Sequence, residues 1–179
     1  LADQSTPELL RRLNAVTGDG LLTNAGALVF HGREEPCLDY IRRDVAGGDS
    51  RQRVRQGGIA LLEELSQVFV QVAANNATTH RHVGMVAGQH RALPEQAVRE
   101  AIVNGVAHRE WSQGAPTVIE HVGHVLRVTS PGGFFGGVTA QNIITHPSQS
   151  RNRALAELLS SLRVAEREGV GVDRMVREM

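Results

Sequence analysis

The run from Leu93 to Gly137 constrains the fold more than any other part of the chain, because the spacing of its apolar residues changes character twice. From Pro94 to His108, Ala97, Val98, Ala101 and Ile102 recur at helical spacing against Glu95, Arg99 and Glu100. Residues 116–129 (PTVIEHVGHVLRVT) are two short alternating runs around Val122-Gly123, the pattern of a β-hairpin. SPGGFFGG, residues 130–137, follows as a glycine-rich loop. A helix, a hairpin, a loop and further helices in one stretch predict an α+β fold. Aromatic residues make up only 3% of the 179, so its core must be aliphatic.

The remaining elements are expected as follows. Residues 7–16 read as a helix with Thr6 as N-cap and Pro7 at its first position. Leu21–Phe30 reads as a helix-then-strand passage, 37–45 as a strand and 57–74 as a helix. NNATTHRH reads as a loop, and Val83–Leu93 as an extended segment. Thr139 is expected to cap a short helix at 140–144, residues 152–162 form another, and a last one starts near Asp173. Pro94 is the expected boundary between a linking α/β region, 1–92, and a second module, 93–179. The chain reads as a piece of something longer, cut at both ends.

Its chemistry is bounded by an absence. The nineteen basic residues are all arginine, balanced by nineteen acidic ones. Without lysine there is no P-loop, no kinase strand lysine and no Schiff-base amine. Cys37 is the single cysteine, so neither a disulfide nor a cysteine metal site can form, which suits a cytoplasmic protein. No run is long and apolar enough for a membrane span and no signal peptide opens the chain. No G-x-S-x-G elbow is present, and zero net charge leaves no nucleic-acid footprint on the chain as a whole.

Three places can carry chemistry. Glu100, Asn104 and His108 are spaced by four and share one helix face. A solvent-facing polar stripe would account for them as well. The loop at 130–137 can expose N–H groups to an anion, or it is a mobile turn. Glu168-Gly169-Val170-Gly171 precedes a helix start that can hold phosphate, though a lone G-x-G is a weak signal. His80-x-His82 and His121-x-x-His124 lack a third ligand nearby and read as structural. Arg51, Arg53 and Arg55, with Arg42 and Arg43 upstream, are the locally basic stretch. Extended, 51–55 aims three arginines to one face, suited to phosphate backbones, but a solvated surface is the plainer reading.

In this order the motifs resemble the GHKL (Bergerat-fold) ATPases. REAIVNGVAHREW, VTSPGGFFGGVT and the RNRALAELLSSL…EREGVGVDRMVREM ending resemble more narrowly the GHKL-like region of RecG-related, AlbA (Schlafen-type) domain-containing regulators of transcription in bacteria. LLTNAGALVF resembles the segment preceding that region. The resemblance implies a Bergerat-like α/β sandwich with a smaller N-terminal α/β segment, the module being truncated at its C-terminal end. It implies ATP and Mg²⁺ as cofactors. Asn104 would be the metal ligand and Glu100 the residue that orients or activates the attacking water. Gly132 and Gly133 would form the first glycine box and Gly169 and Gly171 the second. His108 and Arg109 match the family's HR pair, with Arg109 and Arg174 the arginines nearest the phosphates. Ser130 stands where the family has the aspartate that binds adenine, so a degenerate fold kept as a scaffold or dimerisation module is the alternative. DNA would be bound by flanking AlbA and winged-helix domains absent from this chain. The "helicase" in the family's name has no motor motif behind it here.

Overall fold

The computed structural model describes residues 5–83, 86–143, 145–147 and 149–164. In chain order the elements are α1 (Thr6–Arg12), α2 (Asn24–Phe30), β1 (Leu38–Arg43), β2 (Ser50–Val54), α3 (Leu61–Asn75), β3 (Thr78–Val83), β4 (Val86–Arg91), α4 (Glu95–Ala107), β5 (Thr117–Val122), β6 (Val125–Thr129) and α5 (Arg153–Ser161). The fold is mixed α+β. Four strands form one sheet in the order β2-β1-β5-β6, and β3 pairs with β4 separately. β1 runs parallel to β5, while both outer pairings are antiparallel.

Register fixes what each sheet face carries, because successive side chains on a strand point to opposite sides. Val54, Tyr40, Ile119 and Val128 form one row across all four strands. The next row along is Arg53, Ile41, Glu120 and Arg127, and it points the other way. The first face is covered: α3 packs on β1, and α4 packs on β5 and β6. Leu61, Leu65, Val68 and Val72 of α3, at helical spacing, meet Ile102, Val103 and Val106 of α4 in one core. α5 adds Leu155, Leu158 and Leu159 from outside. Burying each such side chain contributes roughly 1.5–3 kcal/mol before entropy is counted.

Gly105 sets how closely α4 approaches the sheet. A Cβ there would lie 2.7 Å from Val128 Cγ1 and 3.2 Å from Thr117 Cγ2. Gly105 thus lets α4 carry the neighbouring Asn104 closer to the hairpin than a larger residue would allow.

Several expectations need correction. Ser5, not Thr6, is the N-cap of α1, and that helix ends at Arg12, before Asn14 turns with φ +53. Leu21–Phe30 contains no strand: Thr23 Oγ1 accepts from Gly26 N at 3.0 Å and caps α2, which runs through Phe30. α3 starts at Leu61 because Gly58, with φ +82, still belongs to the turn before it. NNATTHRH is not all loop, since β3 begins at Thr78. There Asn76 ties the hairpin base by donating to the Leu93 carbonyl at 2.7 Å and accepting its N–H at 2.9 Å. The expected helix at 140–144 is a set of turns at its described residues, organised by Asn142, whose Oδ1 accepts the Thr139 N–H at 2.6 Å. Pro94 opens α4 without dividing two cores, because the sheet takes two strands from each side of it. The helix expected from Asp173 lies outside the described residues.

Candidate functional site

Asn104 occupies a half-buried face of α4, and its amide N–H donates to Glu100 Oε1 at 2.9 Å, so the spacing of four does bring the two together. Donation through nitrogen leaves the amide oxygen, the end that can ligate a hard cation, on the other side of the group. His108 is the C-cap of α4. Burial, and then the charge of Arg151, hold its imidazole below the usual histidine range. Both effects favour the neutral imidazole.

Past the helix end the chain is pinned from two sides. Asn152 Nδ2 donates to the carbonyls of Ala107 at 2.8 Å and Arg109 at 2.7 Å, satisfying backbone groups that a helix terminus leaves open. Arg109 turns inward and is only 3% exposed. Its guanidinium donates to the carbonyls of Cys37 at 3.3 Å and Gln113 at 3.4 Å and stacks 4.3 Å from the Trp111 ring. Glu64 reaches the same strand end and accepts the N–H groups of Cys37 and Leu38, each at 2.8 Å. Burial pulls the Arg109 pKa down, raises that of Glu64 and pushes the Cys37 thiol up to about 12. The Arg109 side chain thus anchors the start of β1. The arginine beside the glycine-rich loop is Arg151.

That loop is fixed by contacts the sequence did not announce. Glu110 N donates to the Pro131 carbonyl at 2.9 Å. Arg151 forms an ion pair with Glu110, donates to the Gly133 carbonyl at 2.8 Å and lies over the Phe135 ring at 5.2 Å. Hydrogen bonds from the Ser112 hydroxyl and N–H, and then Arg151, hold the Glu110 carboxyl below its usual range. Gly132 has φ +97, and a Cβ there would sit 2.8 Å from Glu110 Cβ, so only glycine suits the position. Ser130 is half-buried at the loop's entry, and Gly133 has open space around it. Gly169, Gly171 and Arg174 lie outside the described residues.

The structure thus joins Glu100 to Asn104, and one turn on it sets His108 in the field of Arg151, which holds the loop. Glu110, Arg151 and Asn152 escaped the sequence reading because no local pattern links positions 110 and 151. The one available signal was Arg-Asn just ahead of a helix. Elsewhere, His121 is wholly buried with Nδ1 at 3.2 Å from Tyr40 Oη, a core histidine as its plainer reading expected. Among the described residues no group of three His, Cys, Asp or Glu side chains converges on a metal position. A cation beside Asn104 would accordingly be held by one amide oxygen, phosphate oxygens and water, a mode that suits Mg²⁺. Among the described residues the buried Arg151 Nε and Ser150 Oγ have no hydrogen-bond partner.

Comparison with known proteins bears on the second half first. Residues 114–179 match the family described as "Putative ATP-dependent DNA helicase recG C-terminal". The match takes in the hairpin and the glycine-rich loop but begins beyond Asn104. No curated protein matches the sequence. The crystal structure of the DIP2311 protein from Corynebacterium diphtheriae superposes with a TM-score of 0.92 over 99% of this chain, at 32% identity. This chain spans 37% of that protein's length. The hairpin, loop and following residues are therefore similar to a RecG-related, HATPase-like region, on a scaffold that nearly the whole chain shares with part of a longer protein.

Proposed function

We propose that the chain is an ATP-binding module of the GHKL type, belonging to a cytoplasmic prokaryotic regulator of transcription. The observation that carries this reading is the Glu100–Asn104 pair on α4, the helix whose C-cap His108 lies in the field of Arg151, which holds the glycine-rich loop. In this reading Asn104 ligates Mg²⁺ through its amide oxygen. Gly132 and Gly133 let the backbone come close to phosphate, with Gly169 and Gly171 as their counterpart. Arg151 supplies the positive charge, exchanging its bond to the Gly133 carbonyl for a phosphate oxygen. Glu100 orients the attacking water if hydrolysis occurs, and such hydrolysis is weak. DNA would be engaged through flanking domains, and two copies of the module would pair.

Ser130 supports the second reading, a degenerate fold serving as scaffold or dimerisation module, because the loop then has no carboxylate for adenine. Thermal unfolding with ATP and Mg²⁺ separates the two. Ligand at 100-fold over its Kd adds about 2.7 kcal/mol of stability. A shift that disappears in Asn104→Ala supports metal-linked binding, while Glu100→Gln should keep the shift and lose turnover. No shift at millimolar ATP would sink the nucleotide reading.

A further inference from the structure

The face of the four-stranded sheet that no described helix covers carries a cluster of arginines and carboxylates. Register puts Arg53 on it opposite Ile41, with Arg55 two residues further on; Arg51 is the extra residue at the register shift beside Arg43, and Arg43 and Arg127 join from β1 and β6. Three carboxylates lie among these arginines, and two of them are each shared by two. Asp39 lies 2.6 Å from Arg53 and 4.0 Å from Arg55. Glu120 lies 2.9 Å from Arg43 and 3.7 Å from Arg127. Asp44, just past the end of β1, serves Arg51 and lies 3.9 Å from Arg42, which belongs to the covered face. Five arginines against three carboxylates leave a surplus of two positive charges, in a chain whose formal net charge is zero.

We propose that this sheet face binds the phosphate backbone of double-stranded DNA, independently of any nucleotide at the α4 site. A guanidinium has five N–H donors, and one shared carboxylate occupies at most two, so the others remain for a second anion. The side chains of Arg51 and Arg127 are 73% and 71% exposed, and that of Arg53 is 51% exposed. Alternate residues on a strand are about 6.6 Å apart, close to two phosphate steps of about 3.4 Å along a duplex strand. No aromatic residue lies on this face in β1, β2, β5 or β6, since Tyr40 points to the covered side. Single strands, which need stacking platforms, are therefore poorly served, and the rigid backbone of a duplex is the matching partner. The carboxylates hold the guanidinium groups in place before any ligand arrives, which lowers the ordering cost of binding.

Fluorescence anisotropy with a labelled mixed-sequence duplex of about 20 base pairs, between about 50 and 200 mM salt, tests this. The 179-residue chain is used without ATP or Mg²⁺, so the result does not depend on the nucleotide reading. Two neutralised phosphates should give a slope of log K against log salt of about −1.8. The Arg51→Ala/Arg127→Ala variant, confirmed as folded by circular dichroism, should remove most of that slope. Glu120→Gln, which releases Arg43 and Arg127, should bind more tightly than the parent. The proposal is overturned if the duplex does not bind at low salt, or if the double variant keeps the parent slope. It is also overturned if a single strand binds more tightly, or if polyglutamate displaces the duplex at equal charge.

Discussion

On the helix-covered face of the sheet, Tyr40, Ile119 and His121 are wholly buried, whereas one residue further along each strand Ile41, Glu120 and Val122 stay half-exposed. The covered face is stabilised by packing and tolerates few polar groups, each with a named partner or an altered proton affinity. The open face is stabilised hardly at all by its charges, because exposed ion pairs contribute only about 0.2–1 kcal/mol each. The difference separates what folds the protein from what its surface is available to do. Ile119→Ala should therefore cost about 2–5 kcal/mol, against under about 1 kcal/mol for Val118→Ala beside it. Urea unfolding of the two variants would break the comparison if their costs were equal.

Asp39 is the exception, since it stands on the open face yet its side chain is only 4% exposed. Arg53 covers it with two bonds, from Nε at 2.9 Å and Nη2 at 2.6 Å. Arg53→Ala strands a largely desolvated carboxylate, with only Arg55 at 4.0 Å. The expected loss is about 1–3 kcal/mol, read by the same unfolding curves. A loss below that of a surface arginine would show Asp39 to be wetter than the structure has it.

Much of this was legible in the sequence, for identifiable reasons. The 3.6-residue period of α4 and the alternation of β5 and β6 are local signals, and so is the spacing that joins Glu100 to Asn104. The Arg51, Arg53 and Arg55 alternation was legible too. Their ion pairs were not, because the partner carboxylates Asp39 and Asp44 come from β1 and the turn just past it, and only strand pairing brings them there. The same holds for Arg151, which meets Glu110 across 41 positions. Arg109 was misplaced for a further reason: an arginine after a helix reads as exposed, and nothing local indicates that the Cys37 carbonyl and the Trp111 ring draw it inward. NNATTHRH was read as loop on composition, and strand pairing with β4 overrode that.

A pH series sharpens the comparison on the covered face. Burial, followed by the charge of Arg42, holds His121 below the usual histidine range, and His108 is depressed as well. A depressed histidine stabilises the fold above its unfolded pKa, near 6.5, and that contribution is lost as pH falls through the folded value. Glu64, raised by burial, acts in the opposite sense as pH falls toward 4.5. Stability should thus decline below about pH 6.5, by up to about 1.4 kcal/mol per unit of histidine shift. His121→Phe should flatten that decline while leaving the Glu64 contribution in place. An unchanged acid limb in this variant would place the titration elsewhere.

The smallest stability effect belongs to the residue with the most to say about the open face. Arg127→Ala removes a side chain that is 71% exposed and lies 3.7 Å from Glu120, and Glu120 keeps Arg43 at 2.9 Å. No carboxylate is left unpaired and no apolar contact of the core is lost. Unfolding free energy should stay within about 0.5 kcal/mol of the parent. DNA affinity should nonetheless fall, with about one unit less in the salt slope. A residue that matters to ligand and not to fold is what an open, pre-arranged charge layer requires. A destabilisation of 2 kcal/mol or so would instead mean that the layer holds the sheet together, as core packing does on the other side.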